Sequence, residues 1–424
     1  MTTTCSIQPR TAPFNSVARV PGSKSITNRA LLCAALADGR STVTGALQSD
    51  DTAAMIDCLR RVGVDVQTDD GSASITVSGD SRGPSARSAK LDVCMSGTTA
   101  RFITPFLALG HGEFEVNARG RMRERPMREL RDALEVLGGE ILLPDEPAFF
   151  PLTVAAHGLK GGTVRVAGHQ SSQFLSGLLL SGPAMRDGIS VTVTTELVSR
   201  PYVDLTLAVL SAFGAVAVSD SDQTFRVAPG ALAARTYAVE PDASAASYFF
   251  AAAAIVGGRV RVEGLSQNAL QGDVGFVDIL ERMGARIVRE ADAIEVHGGM
   301  PLSGVEVDMS QISDTAQTLA VVAPFATSPT RVTGIGFIRR KETDRIRAVV
   351  TELQRAGVDA RAEDDGFVIH PAMPKAAAIQ TYDDHRMAMA FALLGLRVPG
   401  IEIEDPDCVR KTFPRFFDVL AGLK

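Results

Sequence analysis

Residues 243–258 read ASAASYFFAAAAIVGG. The run opens on small polar residues and is then apolar on every side, so it suits a helix enclosed by a core rather than one laid on a surface. It is too short and too rich in Ala to cross a bilayer. Five more segments share the design. They start near Ser25 (SITNRALLCAALADG), Thr98 (TTARFITPFLALG), Ser172 (SQFLSGLLLSGP), Asp314 (DTAQTLAVVAPFA) and Asp384 (DHRMAMAFALLGL). Consecutive starts lie roughly 70 to 74 residues apart, a repeat of supersecondary size.

A second ladder interleaves with the first. Its rungs are MIDCLRRVGVDVQ (55–67), MRELRDALEVLGGEIL (127–142), DLTLAVLSAFGAVAV (204–218), VDILERMGARIV (277–288) and VTELQRAGVDARA (350–362). In each, Leu or Val recurs at helical spacing, a glycine fits a left-handed C-cap, and a short strand pattern follows. The closing glycines Gly63, Gly138, Gly214, Gly284 and Gly357 fall about 70 to 76 residues apart.

Six such units in 424 residues exceed one ordinary core and predict two domains of three units each. Alternating strand and helix signals make the class α/β (α+β), with βαβαββ-type units and parallel buried helices. Crossings near residues 18–21 and 238–241 assign residues 21–239 to one domain, and residues 1–20 plus 240–424 to the other. The sixth unit ends in FPRFFDVLAGLK without a following strand, and SIQPR (6–10) is expected to supply it.

Composition narrows the function. Apolar residues at 45% and charged residues at 22% are globular proportions. Trp is absent and Tyr scarce, which disfavours stacking on bases or sugars. A net charge of -6 argues against a nucleic-acid surface while permitting a local basic cleft. Cys5, Cys33, Cys58, Cys94 and Cys408 are scattered and odd in number, the pattern of reduced thiols in a cytoplasmic protein rather than of a disulfide framework or zinc site. Residues 1–16 lack a basic stretch leading into an apolar one, so no secretory signal is read there.

Three buried helices side by side would bring their polar N-termini out on one face. Each start offers unpaired N–H groups and a partial positive charge, which together make an anion site. Two such faces would enclose an interdomain cleft holding the active site. The candidates are Ser23, Lys24 and Ser25; Gly97 and Thr98; Ser171, Ser172 and Gln173; Asp314; His385 and Arg386.

Each motif also has a plain structural reading. RVPGSKSITNRAL (19–31) is, alone, an N-cap serine with solvated cations, with Arg29 one turn beyond Ser25; it lacks the P-loop spacing. MSGTTARF (95–102) is a helix-capping turn. In RGRMRERPMREL (119–130) most arginines read as solvated, with Arg125 the exception. HQSSQFLSGLLLSGP (169–183) is evenly balanced between capping and binding. RRKETDRIRAVV (339–350) reads as a surface helix of alternating charge. TYDDHRMAMAFALLGL (381–396) sets His385 and Arg386 at the mouth of an apolar helix, which is odd for a surface face. CVRKTFPRFF (408–417) says little alone. The plain role of Asp314 is an N-cap, worth about 1 kcal/mol.

Taken together and in this order, PGSKS, SGTT, ERP, SSQFLSGLL, KETDR, DDHRMAM and KTFP resemble the motifs of the EPSP synthase family along essentially the whole chain. The resemblance implies two domains that close on substrate. It implies transfer of the enolpyruvyl group of phosphoenolpyruvate to the 5-hydroxyl of shikimate 3-phosphate, on the shikimate pathway to chorismate and aromatic amino acids. By that resemblance Lys24, Ser25, Arg29, Ser171, Ser172, Gln173, Ser199, Tyr202, Asp314 and Lys341 hold shikimate 3-phosphate. Lys24, Gly97, Thr98, Arg125, Gln173, Glu342, Arg345, His385, Arg386 and Lys411 surround phosphoenolpyruvate. Asp314 would take the proton of the 5-hydroxyl, and Glu342 with Lys24 would serve proton transfer at the methylene carbon.

The same resemblance implies a monomer without metal or organic cofactor, and without nucleic-acid or membrane partners. Met95 stands where the family commonly has Asn, Phe102 where it has Pro, and Phe337 where the shikimate-phosphate pocket usually has Asn. The UDP-N-acetylglucosamine enolpyruvyl transferases share the architecture but carry a cysteine before their Arg-Pro segment, and residues 119–125 have none.

Overall fold

In the computed structural model, which describes residues 3–69, 71–144 and 149–424, the apolar runs fold as helices. Lys24–Leu36, Gly97–Ala108 and Ser172–Ser181 belong to one compact unit, Gly22–Val239. Ala243–Val256, Ala316–Val322 and His385–Gly395 belong to the other, built from the segment up to Pro21 together with Glu240–Lys424. Every residue of Gly97–Ala108 and of His385–Gly395 is buried, as an all-round apolar surface demands. Within each unit the three buried helices touch one another. The segment at Asp314 departs from a single helix. A 3₁₀ turn at Ser313–Thr315 precedes Ala316–Val322, and a second turn at Ala323–Phe325 follows, where Pro324 cannot extend an α-helical ladder.

The second ladder forms Asp50–Arg61, Arg128–Val136, Pro201–Ala212, Phe276–Met283 and Arg345–Arg355. The glycine after each takes a left-handed backbone, with φ of 91° at Gly63, 96° at Gly138, 92° at Gly214, 114° at Gly284 and 79° at Gly357. A Cβ would oppose that conformation, so glycine ends the helix and turns the chain into its strand.

The sheets repeat one pattern. Ser88–Asp92 runs parallel to His111–Asn117, which pairs antiparallel with Leu152–His157, itself antiparallel to Glu140–Leu142. The same order recurs in Gly162–Val166, Ile189–Val193, Thr224–Val227 and Ala217–Ser221, and again in Glu306–Asp308, Thr330–Thr333, Gly366–Ile369 and Ala360–Glu363. In two sheets the first strand comes from far along the chain. Leu232–Ala233 and Thr236–Ala238 lie parallel to Ala37–Thr44, and Phe14–Val17 lies parallel to Gly258–Glu263. The last sheet holds Ala377–Ile379 and Ile401–Glu404 in parallel, with Thr4–Ser6 antiparallel on the far side. That strand starts two residues before SIQPR. The rest of SIQPR is held by single backbone bonds, Ile7 N–H to Ile401 at 3.1 Å and Arg10 N–H to Leu396 at 2.8 Å. Each unit has its own apolar core between helices and sheets. Among the described residues no helix is long and apolar enough to cross a membrane.

Candidate functional site

In the unit Gly22–Val239 serines cap all three buried helices. Ser23 Oγ accepts from Ile26 N at 3.4 Å, Ser96 Oγ from Thr99 N at 3.2 Å and Ser171 Oγ from Gln173 N at 3.2 Å. Lys24 Nζ stands 3.2 Å from Asp51 Oδ2. Gln173 Nε2 reaches Thr98 Oγ1 at 3.5 Å, linking two of the starts, and Ser172 is buried beside them. Arg121 and Arg123 are exposed, whereas Arg125 is buried against Gly97. A Cβ at Gly97 would lie 2.7 Å from Arg125 Nη1, so the guanidinium rests on a bare backbone that only glycine leaves open. Arg101, absent from the sequence candidates, crowds the same spot at 2.8 Å.

Arg29 differs from the expected solvated cation. It is 2% exposed and donates to Thr206 Oγ1 at 2.8 Å, Ser25 O at 2.9 Å, Ser176 Oγ at 3.0 Å and Tyr202 O at 3.0 Å. Its Cζ lies 5.0 Å from the centroid of Phe102, the position where Pro was expected. Burial lowers its pKa to about 10, so the group stays charged near neutrality. Arg29 therefore ties three helices together behind Ser25 and Tyr202. Ser199, at φ 55°, starts the turn that presents Tyr202, whose N–H bonds Ser199 O at 3.1 Å.

The other unit gathers charges. Asp314 is not the N-cap expected of it: it lies in the preceding turn, the cap position is Thr315, and its carboxylate faces three cations. Oδ1 accepts from Lys341 Nζ at 2.8 Å and Arg345 Nη1 at 3.2 Å, and Oδ2 accepts from Arg386 Nη2 at 2.7 Å. Arg345, which the plain reading of its motif would put on a surface helix and the family resemblance in the substrate site, is 1% exposed. Its Nε donates to Asp384 Oδ2 at 2.7 Å and its Nη2 to Glu342 Oε2 at 2.8 Å. Asp384 also caps its helix by accepting from Arg386 N at 2.9 Å. His385 Nδ1 is 3.6 Å from Asp384 Oδ1, and Lys411 is buried at the end of the turn Pro406–Lys411. Phe337, standing where Asn was expected, places its ring 5.6 Å from Lys341 Nζ.

Burial would raise Asp314, but Arg386, Lys341 and Arg345 hold it well below the usual carboxylate range. Burial lowers Lys341, partly offset by Asp314. Burial also works against charge on Arg345, yet Asp384, Glu342 and Asp314 leave it above its ordinary value. Sequence reasoning missed Asp384, Tyr248, whose hydroxyl accepts from Arg386 Nη1 at 3.5 Å, and Asp273, whose turn packs on that of Asp314. Only Asp384 had a sequence signal, the second Asp before His385 at a helix start.

The two units built from repeated sheet-and-helix modules have the enolpyruvyl transferase fold. The enolpyruvyl transferase NikO from Streptomyces tendae shares that fold with a TM-score of 0.78 at 19% identity, covering 99% of this chain and 97% of that one. An EPSP synthase from Acinetobacter baumannii matches at 0.84 and 28% identity, over 99% of this chain and 97% of that one. The family model for EPSP synthase (3-phosphoshikimate 1-carboxyvinyltransferase) matches residues 9–420, and the chain belongs to that family. The 3-phosphoshikimate 1-carboxyvinyltransferase of Nostoc sp. is 45% identical over 406 residues, 96% of each chain. That of Shewanella loihica is 43% identical over 408 residues, covering 95% of this chain and 96% of the relative.

Proposed function

We propose that this chain transfers the enolpyruvyl group of phosphoenolpyruvate to the 5-hydroxyl of shikimate 3-phosphate, giving 5-enolpyruvylshikimate 3-phosphate and phosphate. The observation that carries the reading is Asp314, a partly buried carboxylate held by Lys341, Arg345 and Arg386 in a chain of the EPSP synthase family. Both substrates bear a phosphate and a carboxylate, which arginines, lysines and helix N-termini recognise.

The hydroxyl oxygen bonds to C2 of phosphoenolpyruvate while a proton adds to C3. The tetrahedral intermediate then loses phosphate and a C3 proton, restoring the double bond. Asp314 accepts the hydroxyl proton, and Glu342 with Lys24 moves the proton at C3. Substrate anions compete for Arg345, Arg386 and Lys341, and each cation drawn away raises Asp314 toward the basicity that proton acceptance needs. Lys24, Ser25, Ser171, Ser172, Gln173, Ser199, Tyr202 and Lys341 are assigned to shikimate 3-phosphate, with Arg29 supporting Ser25 and Tyr202 from behind. Gly97, Thr98, Arg125, Arg345, His385, Arg386 and Lys411 are assigned to phosphoenolpyruvate. The reading takes the protein as a cytoplasmic monomer that needs no metal or organic cofactor.

Phosphate release from phosphoenolpyruvate, followed with and without shikimate 3-phosphate, tests it. Release is expected only with both present. No release, or release indifferent to shikimate 3-phosphate, would refute the assignment.

A further inference from the structure

Asp273 is a second acidic group on the Asp314 face, and nothing in the mechanism above uses it. It is 3% exposed and lies in the turn Gly272–Gly275, which packs on the turn Ser313–Thr315 and on the start of the helix Ala243–Val256. The neighbouring Gln271 anchors the turn, accepting from Ala243 N at 3.0 Å and donating to Pro241 O at 2.7 Å. Ser244 Oγ donates to Asp273 Oδ2. The charges that act on Asp273 through space are those of Asp314 from the packed turn, Arg386 from the helix His385–Gly395, and Asp242 beside Ser244.

Burial and a like charge both oppose ionisation of a carboxylate there, and Ser244 and Arg386 offset only part of that cost. We propose that Asp273 is a positioning residue for proton acceptance, a second carboxylate packed against the Asp314 turn that acts through Asp314 and its partner Arg386. The inference rests on Asp314 being the base in the transfer reaction proposed above. When Asp273 is ionised, its charge repels that of Asp314 and draws on the field of Arg386, so Asp314 is less deeply stabilised and takes a proton more readily. When Asp273 is neutral, Asp314 faces its cations alone and is a poorer base. Burial and Asp314 raise Asp273 to about 6, so it is Asp273 that changes state in mildly acidic solution while Asp314 stays ionised.

The test uses the full-length protein, with phosphate release in the presence of both substrates from pH 5 to pH 9. Asp273→Asn keeps an oxygen for Ser244 and removes the charge. A change of about one pKa unit on Asp314 should lower kcat by up to about tenfold, with KM for either substrate little altered. The acid limb that Asp273 contributes should disappear, while substrate ionisations, common to both proteins, cancel in the comparison. On an Asp314→Asn background the same change should have no further effect on the single-turnover rate. Ser244→Ala, which removes the bond favouring the charged form, should move the limb to higher pH and provides the readout if Asp273→Asn fails to fold.

Equal losses from Asp273→Asn with and without Asp314 would overturn the proposal, since a merely structural role is additive. So would a wild-type pH profile in either variant. Wild-type protein that shows no turnover dependent on shikimate 3-phosphate overturns the function and this inference together. Normal wild-type turnover with an indifferent Asp273→Asn overturns the inference alone.

Discussion

Asp314→Asn removes one negative charge from a face where Lys341, Arg345 and Arg386 all point at that carboxylate. As a helix cap its loss would cost about 1 kcal/mol. Breaking a buried ion pair costs about 3–5 kcal/mol, because the partner charges stay behind without compensation. The Asp314 side chain is 17% exposed and that of Lys341 24%, so water takes part of the load. A loss of roughly 2–4 kcal/mol near neutral pH is expected. Its sign with pH follows from the depressed pKa: the stabilisation is present above the ordinary carboxylate range and is lost as pH falls through the lower folded value. Urea unfolding at pH 7 and at pH 3 measures both ends, with the gap between wild type and variant narrowing in acid. Inorganic phosphate or phosphoenolpyruvate restores the missing charge, so either should stabilise the variant more than the wild type. Turnover should fall by at least about 10²-fold, the lower range for a general base. A variant as stable as wild type at pH 7, with no larger response to phosphate, would refute the charge-hub reading. Near-normal turnover would refute the base.

Asp273→Asn should behave oppositely in stability. A folded pKa raised to about 6 means that wild-type stability declines as pH rises from about 4 through 6, so the variant should gain up to about 3 kcal/mol above that window and nothing at pH 4. Thermal unfolding across that range checks it, and a constant difference would count against it. Arg29→Lys keeps a charge but not the fork that reaches Thr206, Ser25, Ser176 and Tyr202, and should cost about 2–4 kcal/mol in urea. Stability within 0.5 kcal/mol of wild type (roughly the surface-substitution range) would remove the structural role given to Arg29. Activity should survive thorough EDTA treatment, because arginines, lysines and helix ends neutralise the substrates; loss restored by zinc or magnesium would contradict this.

The periodic elements were legible because they follow from local chemistry. Six all-round apolar runs have no stable place except a core, and Gly63 or Gly284 announces a left-handed helix end by its identity. Charge partners were not legible, since they depend on contacts far apart in sequence. Residues 339–350 have the composition of a surface helix, and only folding sets Arg345 between Asp314 and Asp384. Arg29 looks like a solvated cation until Thr206, 177 positions away, meets its Nε. Asp273 has no local pattern at all; its setting comes from a turn packed on another turn.

Synthesis delivers these strands in an order that the fold does not follow. Phe14–Val17 leaves the ribosome roughly 240 residues ahead of its neighbour Gly258–Glu263, and Thr4–Ser6 must wait longer still for Ile401–Glu404. Meanwhile Gly22–Val239, including Thr236–Ala238 that flanks Ala37–Thr44, is translated without interruption and has every strand it needs once Val239 emerges. The early segment is thus carried as an unclaimed sheet edge through the birth of an entire other unit. A nascent chain stalled near residue 300 would already own one finished half and only a fragment of the second.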